Sequence, residues 1–304
     1  DQPFELLGKQ QLSDKLLSEV PVGFQIYETP HYIICYNTSK AYAQWCGGLF
    51  ERLYRGFHNY WQRRGIELEP TPPMVALVFQ DQASFAEYSK PELKDAVNSI
   101  IGYYSLATNR ITMYDLTGVD ELRQAGGSRG SLRHIRQILS RPEAERTVAT
   151  IVHEATHQLV FNTGMQQRFA DIPVWLNEGL AMYFESPDNS SRGWRSIGSI
   201  NETRLSQMQR YLGERPDHSL VTLLNSDGRF RDARTAEAAY AESWSLVYHL
   251  LRTNSDGFVQ YMKTMKQKPP LGQDSPAQRL QEFRDAFGEL DHVDEEMVQL
   301  IQSL

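Results

Sequence analysis

Residues 151–160 read IVHEATHQLV: two histidines four positions apart, a glutamate directly after the first, and aliphatic side chains around them. Val148, Ile151, Val152, Ala155 and Leu159 recur at three- and four-residue intervals, which predicts one buried stripe along a helix. Ser140-Arg-Pro-Glu143 reads as a capping box with Pro142 in the first turn, and Gly164 ends the helix. On such a helix His153 and His157 sit one turn apart on one face, so both imidazoles can reach a single ion. Glu154 is turned by about 100° from His153. It can reach a water on that ion without being a ligand. Two hydrogen-bonded core histidines would produce the same string, so a third ligand has to decide.

The candidate lies in PVWLNEGLAMYFE, residues 173–185. Pro173 suits a helix start, and Trp175, Leu176, Leu180, Tyr183 and Phe184 keep helical spacing. Glu178 falls in the middle of this apolar segment, where an unpaired carboxylate is costly. Twenty residues separate it from His157, with Gly164 available as a turn, which lets the second helix fold back. Two histidines and a carboxylate leave a fourth position for water, as catalytic zinc requires. Asp171 and Glu185 are alternative third ligands, less well placed than Glu178.

Working outward, residues 23–36 (GFQIYETPHYIICY) alternate and predict a hairpin broken at Pro30. Tyr42 to Trp61 carry a long amphipathic helix that Gly65 ends, PPMVALVFQ is a buried strand, and DQASFAEYS is a short helix capped by Asp81. IIGYYSLATNRITMYDL gives two further strands around an Asn-Arg turn. Residues 116–140, with AGGSRGS and several arginines, read as a mobile insertion with one short helix. Beyond about residue 140 only helices are predicted, near 141–162, 173–186, 202–213, 234–253, 256–267, 276–287 and 290–303. The fold class is therefore α+β: an N-terminal mixed sheet with helices over residues 1–140, then the HExxH helix and an all-helical half over 141–304.

The chain has 304 residues, 40% of them hydrophobic, so it can bury a sizeable core. A net charge of −7 without a basic run argues against nucleic acid or an anionic membrane as partner. No apolar stretch is long enough to span a bilayer. Residue 1 is not methionine, which suggests a processed product and hence export to the periplasm, the cell surface or the medium. Cys35 and Cys46 are the only cysteines; they form either one disulfide or two buried free thiols. The remaining histidines have no metal-like spacing. Asn37 and Asn201 begin glycosylation sequons, a weak signal.

HEATHQL followed by WLNEGLA resembles the gluzincin (peptidase MA-like) metallopeptidases, in which HExxH and a glutamate from an NEGxA-type helix hold zinc. An uncharacterised bacterial branch of that superfamily is the expected place for this chain. The resemblance implies a zinc peptidase acting on a peptide or protein, with His153, His157 and Glu178 as ligands and Glu154 as general base. AYAESWSLVYHLLR is similar to the helix of the aminopeptidase N family that carries a catalytic tyrosine, which maps to Tyr240. By pattern alone Tyr240 is a core residue; the resemblance makes it an oxyanion donor, with Tyr248 as fallback. Glu185, two turns beyond Glu178, is a candidate acceptor for a ligand histidine. In the resembling fold the region of RITMYD, residues 110–115, supplies an edge strand to which a peptide can add. The chain lacks a GxMEN-like strand, so a free substrate amino terminus is not expected to be required. A catalytically silent zinc scaffold and a zinc hydrolase of a non-peptide substrate are the alternatives.

Overall fold

The structure, a computed structural model, describes residues 7–118, 132–140, 142–185 and 197–304. These fall into two compact units, one of residues 7–57 and 69–162, the other of residues 58–68 and those from 163 onward. No described helix is long and apolar enough to cross a membrane.

The first unit is built on a mixed five-stranded sheet in the order β1-β2-β3-β5-β4, with β1 Gln25–Glu28, β2 Tyr32–Tyr36, β3 Met74–Phe79, β4 Gly102–Ser105 and β5 Arg110–Tyr114. β1 and β2 form the antiparallel hairpin expected around Pro30. β2, β3 and β5 run parallel, and β4 closes the sheet antiparallel to β5. YIICY and MVALVF are buried at every position, the composition an interior parallel strand needs when both faces are covered. Helix α1 (Lys9–Glu19), α2 (Lys40–Gln62) and α3 (Gln82–Leu93) accompany the sheet. Asp81 caps α3 by accepting from the Ser84 N–H at 2.8 Å, as the sequence predicts.

One expectation is corrected here. Residues 110–115 are not the sheet edge: β5 is flanked by β3 and β4, and β4 is the edge strand. Residues 106–109 are too few for anything but a hairpin turn, so β4 has to lie beside β5. The burial agrees, since β5 is buried from Ile111 to Tyr114 while β4 is half-exposed at Tyr103 and Tyr104.

Of the insertion expected over 116–140, residues 119–131 lie outside the described residues; the remainder holds a short 3-10 turn at Leu116–Gly118 and α4 (Leu132–Leu139). The proposed capping box involves Arg141 and the Glu143 side chain, which also lie outside them; the Ser140 hydroxyl donates to the Gln137 carbonyl. α5 (Pro142–Asn162) carries the histidines, buries the stripe Val148, Ile151, Val152, Ala155 and Leu159, and gives way to Gly164 at φ 69°. Cys35 and Cys46 are free and buried. Burial pushes the Cys35 thiol up to about 12, so at neutral pH it stays protonated and inert.

The second unit is helical: α6 (Val174–Phe184), α7 (Glu202–Tyr211), α8 (Ser219–Asn225), α9 (Gly228–Arg231), α10 (Ala236–Thr253), α11 (Ser255–Lys266), α12 (Pro276–Phe287) and α13 (Leu290–Ser303). α10 is buried continuously from Ala241 to Leu251 and packs against α6. Aromatic rings fill the rest, with Trp175 stacked on Tyr261 at 5.7 Å and Tyr60 donating to the Tyr183 hydroxyl at 2.8 Å. Glu242, fully buried on α10, is held by Arg215 and Arg229, both at 2.7 Å, and by the Ser219 hydroxyl at 2.8 Å. A buried carboxylate survives only when its lone pairs are met in this way.

Candidate metal centre

His153 and His157 lie on one face of α5, both half-buried, with ring centroids 4.8 Å apart and planes at 82°. Glu178 is half-buried on α6, among neighbours at 175, 176 and 179–184 that are buried. One ligand atom from each of these three residues lies within 4.8 Å of the other two; among the described residues this is the group spaced to hold a metal ion. Ligands about 2.0–2.1 Å from a tetrahedral ion stand roughly 3.4 Å apart. The 4.8 Å limit on the observed spread is of the same order. Two imidazoles and a carboxylate form a donor set that suits zinc, and other divalent first-row metals share the preference.

Glu154, offset around α5, accepts a hydrogen bond at Oε2 from the main-chain N–H of Tyr104 on edge strand β4, at 2.8 Å. The same side of α5 continues with Gln158, whose amide donates to the carbonyls of Val75 at 3.1 Å and Asn109 at 2.9 Å. One turn further, the carboxamides of Asn162 and Asn109 pair reciprocally, both bonds at 2.8 Å. The Tyr104 hydroxyl donates to Asn109 Oδ1 at 2.8 Å, and its ring stacks on Phe161. Sequence reasoning missed Asn109, Gln158 and Asn162. The available signal was the polar run 154, 158, 162 at four-residue spacing beside the apolar stripe.

The alternatives to Glu178 have other duties. Asp171 accepts from Arg279 at 2.6 Å and from the Asp274 N–H at 2.7 Å, so both of its oxygens serve the helical packing. Glu185 accepts from the Asn201 amide at 2.7 Å, while Asn201 caps α7 through the Arg204 N–H. That sequon asparagine is buried and engaged. Asn37, the other, accepts from the Gln80 N–H.

Tyr240 is half-buried on α10, its ring edge-on to Phe230 at 5.3 Å and under the Arg204 guanidinium at 5.5 Å. Tyr248 is 1% exposed, tilted against Trp244 and covered by Arg252 at 4.3 Å. Burial pushes its hydroxyl above the ordinary range. Of the two tyrosines, Tyr240 alone has the exposure a substrate contact needs.

Residues 147–272, under half of the chain, match the profile of a family described as "Protein of unknown function (DUF1570)". The matched segment contains both histidines, Glu178 and Tyr240. No curated protein matches the sequence.

Proposed function

We propose that the protein is a zinc-dependent peptidase of the gluzincin type. The observation that carries the reading is the convergence of His153, His157 and Glu178 ligand atoms within 4.8 Å, with a second carboxylate, Glu154, next to His153 in the chain and held by a strand-edge N–H. A bound zinc supplies a Lewis acid that acidifies water and polarises a carbonyl. Glu154, not counted among the three ligands, takes the proton of the attacking water on its carboxylate and passes it to the leaving amine. Tyr240 donates its hydroxyl hydrogen to the oxyanion that develops on the attacked carbonyl. A purely structural site needs no such second carboxylate, which favours catalysis over a silent scaffold. The substrate is a peptide or protein.

The test is cleavage profiling of the purified protein against a peptide library, with and without a chelator, alongside Glu154→Gln. The variant keeps size and shape but not the base. It should retain zinc while hydrolysis falls by orders of magnitude. A wild-type protein that cleaves nothing in the library sinks the reading in favour of a scaffold.

A further inference from the structure

We propose that Asn109 is a positioning residue for Glu154: it clamps the β4–β5 turn to α5 and thereby aims the Tyr104 N–H at the Glu154 carboxylate. Asn109 sits at φ 58°, a left-handed conformation that asparagine tolerates better than most residues. From there it uses both ends of its side chain and its carbonyl. The carboxamide pairs reciprocally with Asn162 and accepts from the Tyr104 hydroxyl, and the carbonyl accepts from Gln158. Asn162 also donates to the Gln158 carbonyl one turn back, at 2.7 Å.

The partners on α5 are spaced at i, i+4 and i+8: Glu154, Gln158 and Asn162 form one polar stripe facing the hairpin. A slide or rotation of α5 against the hairpin breaks all of these bonds together, so the stripe sets the register. His153 and His157 each precede a member of this stripe by one residue and depend on the helix, not on the hairpin. Loss of Asn109 should therefore disturb the general base and spare metal binding. For its kinetic consequence the proposal rests on the peptidase reading.

The experiment compares wild type with Asn109→Gly in the full-length, zinc-loaded protein. Glycine keeps the left-handed backbone and the carbonyl but deletes the carboxamide. Hydrogen exchange at the Tyr104 amide should accelerate while α5 stays protected. With a peptide found by library profiling, kcat should fall by about 10²-fold, the cost of misplacing a reacting group by about 1 Å. KM and zinc content should be unchanged. Tyr104→Pro removes the N–H directly; that N–H points away from β5, so proline breaks no ladder bond. It should reproduce the kcat loss, whereas Tyr104→Ala, which keeps the N–H, should not match it. Unchanged Tyr104 exchange in Asn109→Gly overturns the proposal, as does a parallel decline of kcat, zinc binding and melting temperature. Should the wild type cleave no peptide, the functional reading fails by itself, and the exchange comparison still decides the role of Asn109.

Discussion

Gly179 lies against the main-chain carbonyl of Ser243: a Cβ at residue 179 would stand 2.7 Å from that oxygen and 2.5 Å from Val247 Cγ2. The glycine beside Glu178 is thus what lets α6 approach α10. Gly179→Ala forces backbone apart because the nearest atom on one side is a carbonyl, not a flexible side-chain end. Overpacking of this kind costs about 1–3 kcal/mol. Denaturant unfolding should show that loss; wild-type stability would mean that the helices separate freely at this point.

The metal prediction concerns the three ligands. After reconstitution and dialysis, elemental analysis should find about one zinc per chain in the wild type. His157→Ala and Glu178→Ala should each leave the protein substoichiometric, whereas Asp171→Asn should not, since its oxygens are bound to Arg279 and the Asp274 N–H. Full zinc binding by His157→Ala would remove the site.

Tyr240→Phe separates a packing residue from an oxyanion donor. The ring contact with Phe230 survives the substitution. Loss of one oxyanion donor lowers kcat by about 10²–10³-fold. KM, zinc content and melting temperature should hold. Wild-type turnover in this variant would return Tyr240 to packing; buried Tyr248 is the less suitable replacement.

Acid stability should depend on Glu51. Burial pushes its carboxyl up, but hydrogen bonds from His31 and Thr29 outweigh that and leave it below the ordinary value of 4.5. A carboxyl whose pKa is lower folded than unfolded binds fewer protons in the native state. Its stabilisation is present above the unfolded value and is lost as pH falls through the folded one. Glu51→Gln should lower the melting temperature near neutrality and flatten its decline between about pH 5 and pH 3. Parallel wild-type and variant curves over that range would assign the acid response to other carboxylates.

The sequence by itself determined the elements whose signal is contiguous. The long helices, the first hairpin and the one-face placement of His153 and His157 follow from 3.6- and 2-residue periodicity, which any short window carries. Glu178 was legible for a related reason: a carboxylate inside WLNEGLAMYF is costly without a partner, so its presence pointed to one. Gly65 and Gly164, at φ 75° and 69°, end their helices where the pattern places them. Helix α1 escaped because KQQLSDKLLSE buries only Ser13 and Leu16, too few for a stripe, and α8 and α9 are shorter than the pattern needs.

Tertiary structure alone decided what depends on pairing across distance. That β4, not β5, forms the sheet edge follows from β5 bonding to β3, some thirty residues upstream, a choice no local window contains. Asp171 and Glu178 are both acidic and seven residues apart; a long-range ion pair with Arg279 occupies Asp171, whereas Glu178 belongs to the group spaced to hold a metal ion. The burial of Glu242 between Arg215 and Arg229 was equally illegible, because composition counts charges without saying which meet. Periodicity records which face of an element is apolar. Which polar groups satisfy one another is set only once distant segments dock, and burial then makes every unmet donor or acceptor costly.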